Sequence, residues 1–142
     1  MPGVNASFSA QKPELEAENG ETLGAQLRRR RRELRHRRVD AALLIGADPK
    51  SVMWWERDKR EPLDRFWPAI IGYLGREPWQ EPETLGERLR AERKRRGLAM
   101  FEAAQLTGVD EGTWWWWESD RRRPRHERTI GLVSRFLSGS GR

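Results

Sequence analysis

Sliding the sequence along itself by 62 places produces an ungapped match, with roughly 18 identities over about 55 positions. ETLGAQLRRRRR at 21–32 lies over ETLGERLRAERK at 83–94, AALLIGAD at 41–48 over AAQLTGVD at 103–110, and WWERDKREP at 54–62 over WWESDRRRP at 116–124. Two copies are too few for a solenoid, whose stacked repeats need at least about three to close a core. Each copy must therefore bury its own apolar residues, and a chain of 142 residues becomes two very small domains. The expected division is a first domain over 21–75, a Pro-containing linker over 76–82 and a second domain over 83–138.

Within each copy the signals are helical. Thr22 and Thr84 are N-cap candidates, and Thr84-Leu-Gly-Glu87 has capping-box spacing. Leu23 with Leu27, and Leu85 with Leu89, share a face, so a first helix runs to about residue 34 or 96. A second helix covers 38–45 and 100–107 and stops at Gly46 and Gly108, because glycine enters the left-handed region without penalty. Asp48 and Asp110 cap a third helix, and Pro49 suits its first turn, where no amide hydrogen is needed. Pro62 and Pro124 close that segment. A last helix begins near Pro68 with Ile70, Ile71 and Leu74 facing inward, matched by Leu132, Val133 and Phe136. The expected fold class is all-α, with four to five short helices per domain.

Charge narrows the partners. Charged residues make up 35 % of the chain, 28 Lys+Arg against 22 Asp+Glu, for a net +6 and a pI of about 10.6, which points to a polyanion. Residues 1–21 carry −3, residues 22–79 carry +6 and residues 80–142 carry +3. The expectation is a disordered acidic leader over 1–20, a basic body and a short disordered tail over 139–142. Without cysteine, and with only two isolated histidines, no disulfide, metal site or cofactor is expected. No secretory signal is recognisable, and no apolar run approaches about 18 residues, so no membrane association is expected and the cytoplasm is the expected location. No nucleophile stands at a meaningful spacing from a base, and no Gly-rich phosphate loop is present, so the chain is not expected to be an enzyme.

A helix, a glycine turn and a second helix, with basic residues on either side, is the spacing of a helix-turn-helix. LGERLRAERKRRGL, EAAQLTGVDEGTW and WESDRRRP resemble segments of the phage repressor and Cro-like (XRE-type) DNA-binding family, and the tandem order is similar to its two-repeat bacterial members. The resemblance covers about 115 residues, nearly everything past the leader. It implies two tandem lambda-repressor-like domains, double-stranded DNA as the partner, and a nucleoid-associated regulator of transcription. It further implies that the outer face of the third helix enters the major groove. The readers would then be Pro49, Lys50, Ser51, Met53 and Trp54 in the first copy and Glu111, Gly112, Thr113, Trp115 and Trp116 in the second.

Flanking phosphate contacts would come from Arg57, Lys59, Arg60 and Arg65, and from Arg121, Arg122, Arg123 and Arg125, with Arg37 and Arg38 gripping phosphate ahead of the second helix. The same resemblance implies structural ion pairs between Arg31 and Glu56 and between Arg93 and Glu118. Spacing by three residues places Val52 with Trp55, and Trp114 with Trp117, on the core side. Lys50 among the readers of one copy and Glu111 among those of the other imply unlike half-sites about one helical turn apart, or a multiple of it, with the first copy supplying most of the affinity. The alternative is a protein-interaction module, antitoxin-like or phage-regulatory, that uses exposed tryptophans; a homodimer is a further partner left open. Thr107, where relatives carry an aliphatic residue, leaves open a second copy that no longer binds.

Overall fold

The computed structural model describes residues 20–139. The leader expected over 1–20 and the tail expected over 139–142 therefore lie outside the described residues, apart from Gly20 and Gly139. The chain divides into two compact units, Met1–Glu81 and Pro82–Arg142. Both are built from helices, eight α-helices among the described residues: α1 Leu23–Glu33, α2 Arg38–Ile45, α3 Pro49–Glu56 and α4 Trp67–Leu74 in unit 1, and α5 Leu85–Arg95, α6 Met100–Leu106, α7 Glu111–Glu118 and α8 Glu127–Leu137 in unit 2.

The helix starts follow from the capping side chains. Thr22 accepts the Ala25 amide at 3.1 Å, whereas Thr84 and Glu87 exchange bonds with each other's amides at 3.1 and 3.2 Å. Asp48 accepts the Ser51 amide at 2.8 Å and Asp110 the Thr113 amide at 2.7 Å, which fixes the first turns of α3 and α7. Ahead of α2 and α6 the sequence offers Arg37 and Ala99, neither of which caps. There the acids at the third helical position reach back instead, Asp40 to the Arg37 amide at 2.7 Å and Glu102 to the Ala99 amide at 2.8 Å. Gly46 and Gly108 take φ of 88° and 74° after α2 and α6.

Helix α6 ends at Leu106, one residue short of the expected 107. Thr107 is buried, and its hydroxyl donates to the carbonyls of Ala103 and Ala104 at 3.2 and 3.1 Å. Its polar atom is thus satisfied inside the domain.

Each unit closes around tryptophan, but not from the same place. In unit 1 Val52 and Trp67 are both buried; at the corresponding positions unit 2 has Trp114 and Thr129. Trp55 and Trp117 are buried at matching positions, and a second, fully shielded indole joins each, Trp67 from α4 in the first unit and Trp114 from α7 in the second. Trp114 packs edge-on against Phe136 with ring centroids 5.1 Å apart.

The last helix of unit 1 begins near Pro68 as expected, whereas that of unit 2 begins earlier in its repeat. Pro68 confines α4 to a start at Trp67, because proline is tolerated only in a first turn, and a single 3-10 turn over Asp64–Phe66 leads into it. Ile130 stands at the matching position in unit 2, and α8 begins earlier in its repeat, at Glu127. Inside unit 1 the buried residues of α4 are Trp67, Ile70, Tyr73 and Leu74, with Ile71 only partly covered; in α8 they are Val133 and Phe136, with Leu132 partly covered. Of the segment 76–82, Pro78 is buried and its carbonyl accepts the Gln26 side-chain amide at 3.0 Å, and Trp79 lies edge-on to Trp67 at 5.7 Å. That stretch completes the core of unit 1.

Candidate nucleic-acid interface

The third helix of each unit is held at its C-terminal end by a buried glutamate. Arg31 donates through Nε and Nη2 to the two carboxylate oxygens of Glu56, at 2.6 and 3.1 Å, and Arg38 adds a bond at 3.2 Å. In unit 2 Glu118 accepts two bonds from Arg93, one from Arg90 at 3.3 Å and one from the Trp114 indole. Neither glutamate side chain has exposed surface. The fork geometry satisfies both carboxylate oxygens at once, which a buried charge requires. The same guanidiniums donate to the carbonyls of His36 and Leu98 at 3.0 Å, so one side chain ties the first helix to the turn and to the third helix. The Glu56 bond raises the Arg31 pKa against the opposing effect of burial.

A second tie lies just beyond the helix. Asp58 and Asp120 adopt left-handed φ of 54° and 59°. The Asp58 carboxylate accepts the Thr22 hydroxyl at 2.8 Å and the Gly24 amide at 3.1 Å. In the second unit Asp120 accepts the Thr84 hydroxyl at 2.6 Å and the Gly86 amide at 2.8 Å. The first and third helices approach so closely that a Cβ at Gly24 would stand 2.6 Å from the carbonyl oxygens of Trp55 and Glu56, and one at Gly86 would overlap that of Glu118. None of these aspartates or glycines was expected as a site residue from sequence. The signal was there, since each recurs at the same place in both copies.

Fixed in this way, α3 and α7 leave one face outward. Pro49 and Lys50 are exposed, with Ser51, Met53 and Trp54 partly covered; in unit 2 Glu111, Gly112 and Trp115 are exposed, with Thr113 and Trp116 partly covered. Val52, Trp55, Trp114 and Trp117 are buried. Beyond each helix, Arg57, Lys59, Arg60 and Arg65, and Arg121, Arg122, Arg123 and Arg125, are exposed, and among the described residues none of the eight has a carboxylate partner. Arg65 stacks on Phe66 at 4.7 Å. Two of the expected phosphate contacts also have partners within unit 1: Arg38 bonds to buried Glu56, and Arg37 pairs with Asp40 at 3.3 Å. The sequence places no Ser or Gln at that site, and the nearby acids take up the guanidiniums.

The left-handed aspartate folds the basic segment back over the helix. The Lys59 amide donates to the Trp54 carbonyl at 2.9 Å, and the Arg121 and Arg122 amides donate to that of Trp116 at 3.0 and 3.3 Å. Arg60 then lies over the Trp54 ring at 5.5 Å, Arg122 over Trp116 at 4.9 Å and Arg121 over Trp115 at 4.9 Å. Trp115 and Trp116 meet edge to face at 5.1 Å.

Among the described residues, no group of acids and histidines is arranged to hold a metal ion, and no helix is long and apolar enough to cross a membrane. No curated protein and no solved structure matches the chain. Residues 84–141, which begin at the cap of α5 and run past the end of α8, match a family model described as a helix-turn-helix domain.

Proposed function

We propose that the chain is a sequence-specific double-stranded DNA-binding protein, a bacterial cytoplasmic regulator of transcription of the XRE type, with two tandem helix-turn-helix domains whose helices α3 and α7 enter the major groove. The helix-turn-helix match over 84–141 supports the reading for unit 2. For unit 1 the support is the repeat itself: its caps, its Arg31–Glu56 pair and its Asp58–Thr22 bond stand at the positions of their unit 2 counterparts.

One observation carries the proposal. Most arginines of the first helices, Arg29, Arg31, Arg90, Arg93 and Arg95 among them, are paired with carboxylates, Arg32 and Arg88 being exposed exceptions, whereas among the described residues all eight cations that follow the third helices are exposed and have none. Cations placed beside an outward helix face supply phosphate contacts and leave that face to the bases. Lys50 suits guanine acceptors, while Glu111 accepts only from the amine of cytosine, so the two units read unlike half-sites. Neither a catalytic step nor a cofactor forms part of the proposal.

Selection of bound duplexes from a randomised pool tests it. Two unlike half-sites should be enriched at a fixed spacing. A pool that emerges unenriched, or a perfect palindrome, contradicts the reading.

A further inference from the structure

We infer that Trp54 and Trp116 are positioning residues for Arg60 and Arg122, holding each guanidinium ready for a DNA phosphate, and that they do not read bases. The inference rests on the DNA-binding reading above and assigns a division of labour within that surface.

The repeat separates the two roles. Across the outward face of the third helix the copies disagree: Pro49 against Glu111, Lys50 against Gly112, Met53 against Trp115. Trp54 and Trp116 agree, and so do Arg60 and Arg122. A residue that reads sequence should vary together with the other readers, whereas one that serves a contact common to all DNA need not. Phosphate is that common contact.

The geometry explains how the pair works. Asp58 and Asp120, held in the left-handed region by bonds to the first helix, reverse the chain immediately after α3 and α7. This brings the guanidinium two residues later over the indole of the helix it has just left, at 5.5 Å in unit 1 and 4.9 Å in unit 2. A guanidinium stacked by its face keeps its N–H donors at the edge, free for a bidentate anion. Neither Arg60 nor Arg122 has a carboxylate partner among the described residues, so each charge is available to a ligand from outside. An indole face covered by a guanidinium is in turn closed to a base. Ordering a long side chain before the ligand arrives lowers the entropy lost on binding.

Unit 2 extends the device. Where unit 1 has Met53 and Lys59, it has Trp115 and Arg121, and that guanidinium stacks on Trp115 at 4.9 Å and lies 5.9 Å from Trp116. The less basic unit thus sets two cations over the indoles of its third helix, where the first unit sets one.

The test is a double-mutant cycle on the full chain, read by fluorescence anisotropy with a labelled duplex of randomised sequence, about 30 base pairs long to span two half-sites. Trp116→Ala and Arg122→Ala should each weaken binding by about three- to fivefold, and the double variant by little more than either single one. Trp116→Phe, which keeps a ring face, should bind nearly as well as the unaltered chain, and the Trp54 and Arg60 variants should follow the same pattern. Losses that multiply in the double variant overturn the inference, as does a Trp116→Phe variant as weak as Trp116→Ala. Arg122→Ala alters only an exposed side chain, so full binding by that variant overturns it whatever Trp116→Ala does to folding. An unaltered chain that fails to bind duplex at low salt contradicts the DNA-binding reading itself.

Discussion

Asp120, with a left-handed backbone at φ 59°, accepts the hydroxyl of Thr84 at 2.6 Å, and so the residue just past the third helix of unit 2 is tied to the cap of its first. Asp58 and Thr22 repeat the contact in unit 1 at 2.8 Å. Asp120 contributes in two ways, as an acceptor for two donors and as a residue type that tolerates the left-handed region. Asp120→Ala should destabilise by about 2 to 4 kcal/mol, adding backbone strain to the lost bonds, while Asp120→Asn should lose distinctly less. Urea midpoints of the full chain check the order; equal losses for the two variants would remove the backbone part of the argument.

Removing one partner of the buried pair leaves an unmatched charge. Arg93→Ala should cost about 3 kcal/mol, since Glu118 would remain buried with its main donor gone. Replacing both partners by apolar residues, as in Arg93→Met with Glu118→Leu, should recover most of that loss. Thermal denaturation of the single and double variants gives the comparison.

The indole exchange between the cores makes a reciprocal prediction. Trp114→Val leaves unit 2 with an indole at neither of these two positions and should cost about 3 kcal/mol or more through the cavity it opens. Adding Thr129→Trp, which restores the arrangement found in unit 1, should return part of it, although Thr129→Trp alone overpacks the core. A double variant no more stable than Trp114→Val would show that the two positions do not share one space.

Acid should loosen the caps. The Asp110 carboxyl lies below the ordinary value of 3.8 because it accepts the Thr113 amide, and Asp40 lies below it chiefly through the Arg37 amide. The folded value lies under the unfolded one, so the stability these groups add is complete above the unfolded value and disappears as pH falls through the folded value. Asp110→Asn keeps an acceptor but has no proton to take up. Its melting temperature should therefore fall less steeply than that of the unaltered chain below about pH 4, as melts across the acid range would show.

Much of this was legible in the residues. Leu23, Leu27, Trp55, Trp114 and Trp117 stand at helical spacing and are buried, and the caps at Thr22, Asp48, Thr84 and Asp110 start helices. What escaped was set by contacts between segments far apart in the chain. Asp58 and Asp120 look like ordinary turn residues until Thr22, Gly24, Thr84 and Gly86 are brought beside them. Trp67 is buried in unit 1 where unit 2 has Thr129, and Trp114 is buried where unit 1 has Val52, a difference between two helices that periodicity within one helix cannot express. The pairing of Arg37 with Asp40 and of Arg38 with Glu56 was not legible either, because the positions of these acids relative to them depend on the fold.

Titration of the full chain into labelled duplex DNA over a range of salt concentrations tests the central claim most directly. Exposed cations beside α3 and α7 should give binding whose logarithm falls linearly with the logarithm of salt, with a slope of about −4 or steeper for several neutralised phosphates. Absence of binding at low salt, or an affinity indifferent to salt, would contradict it.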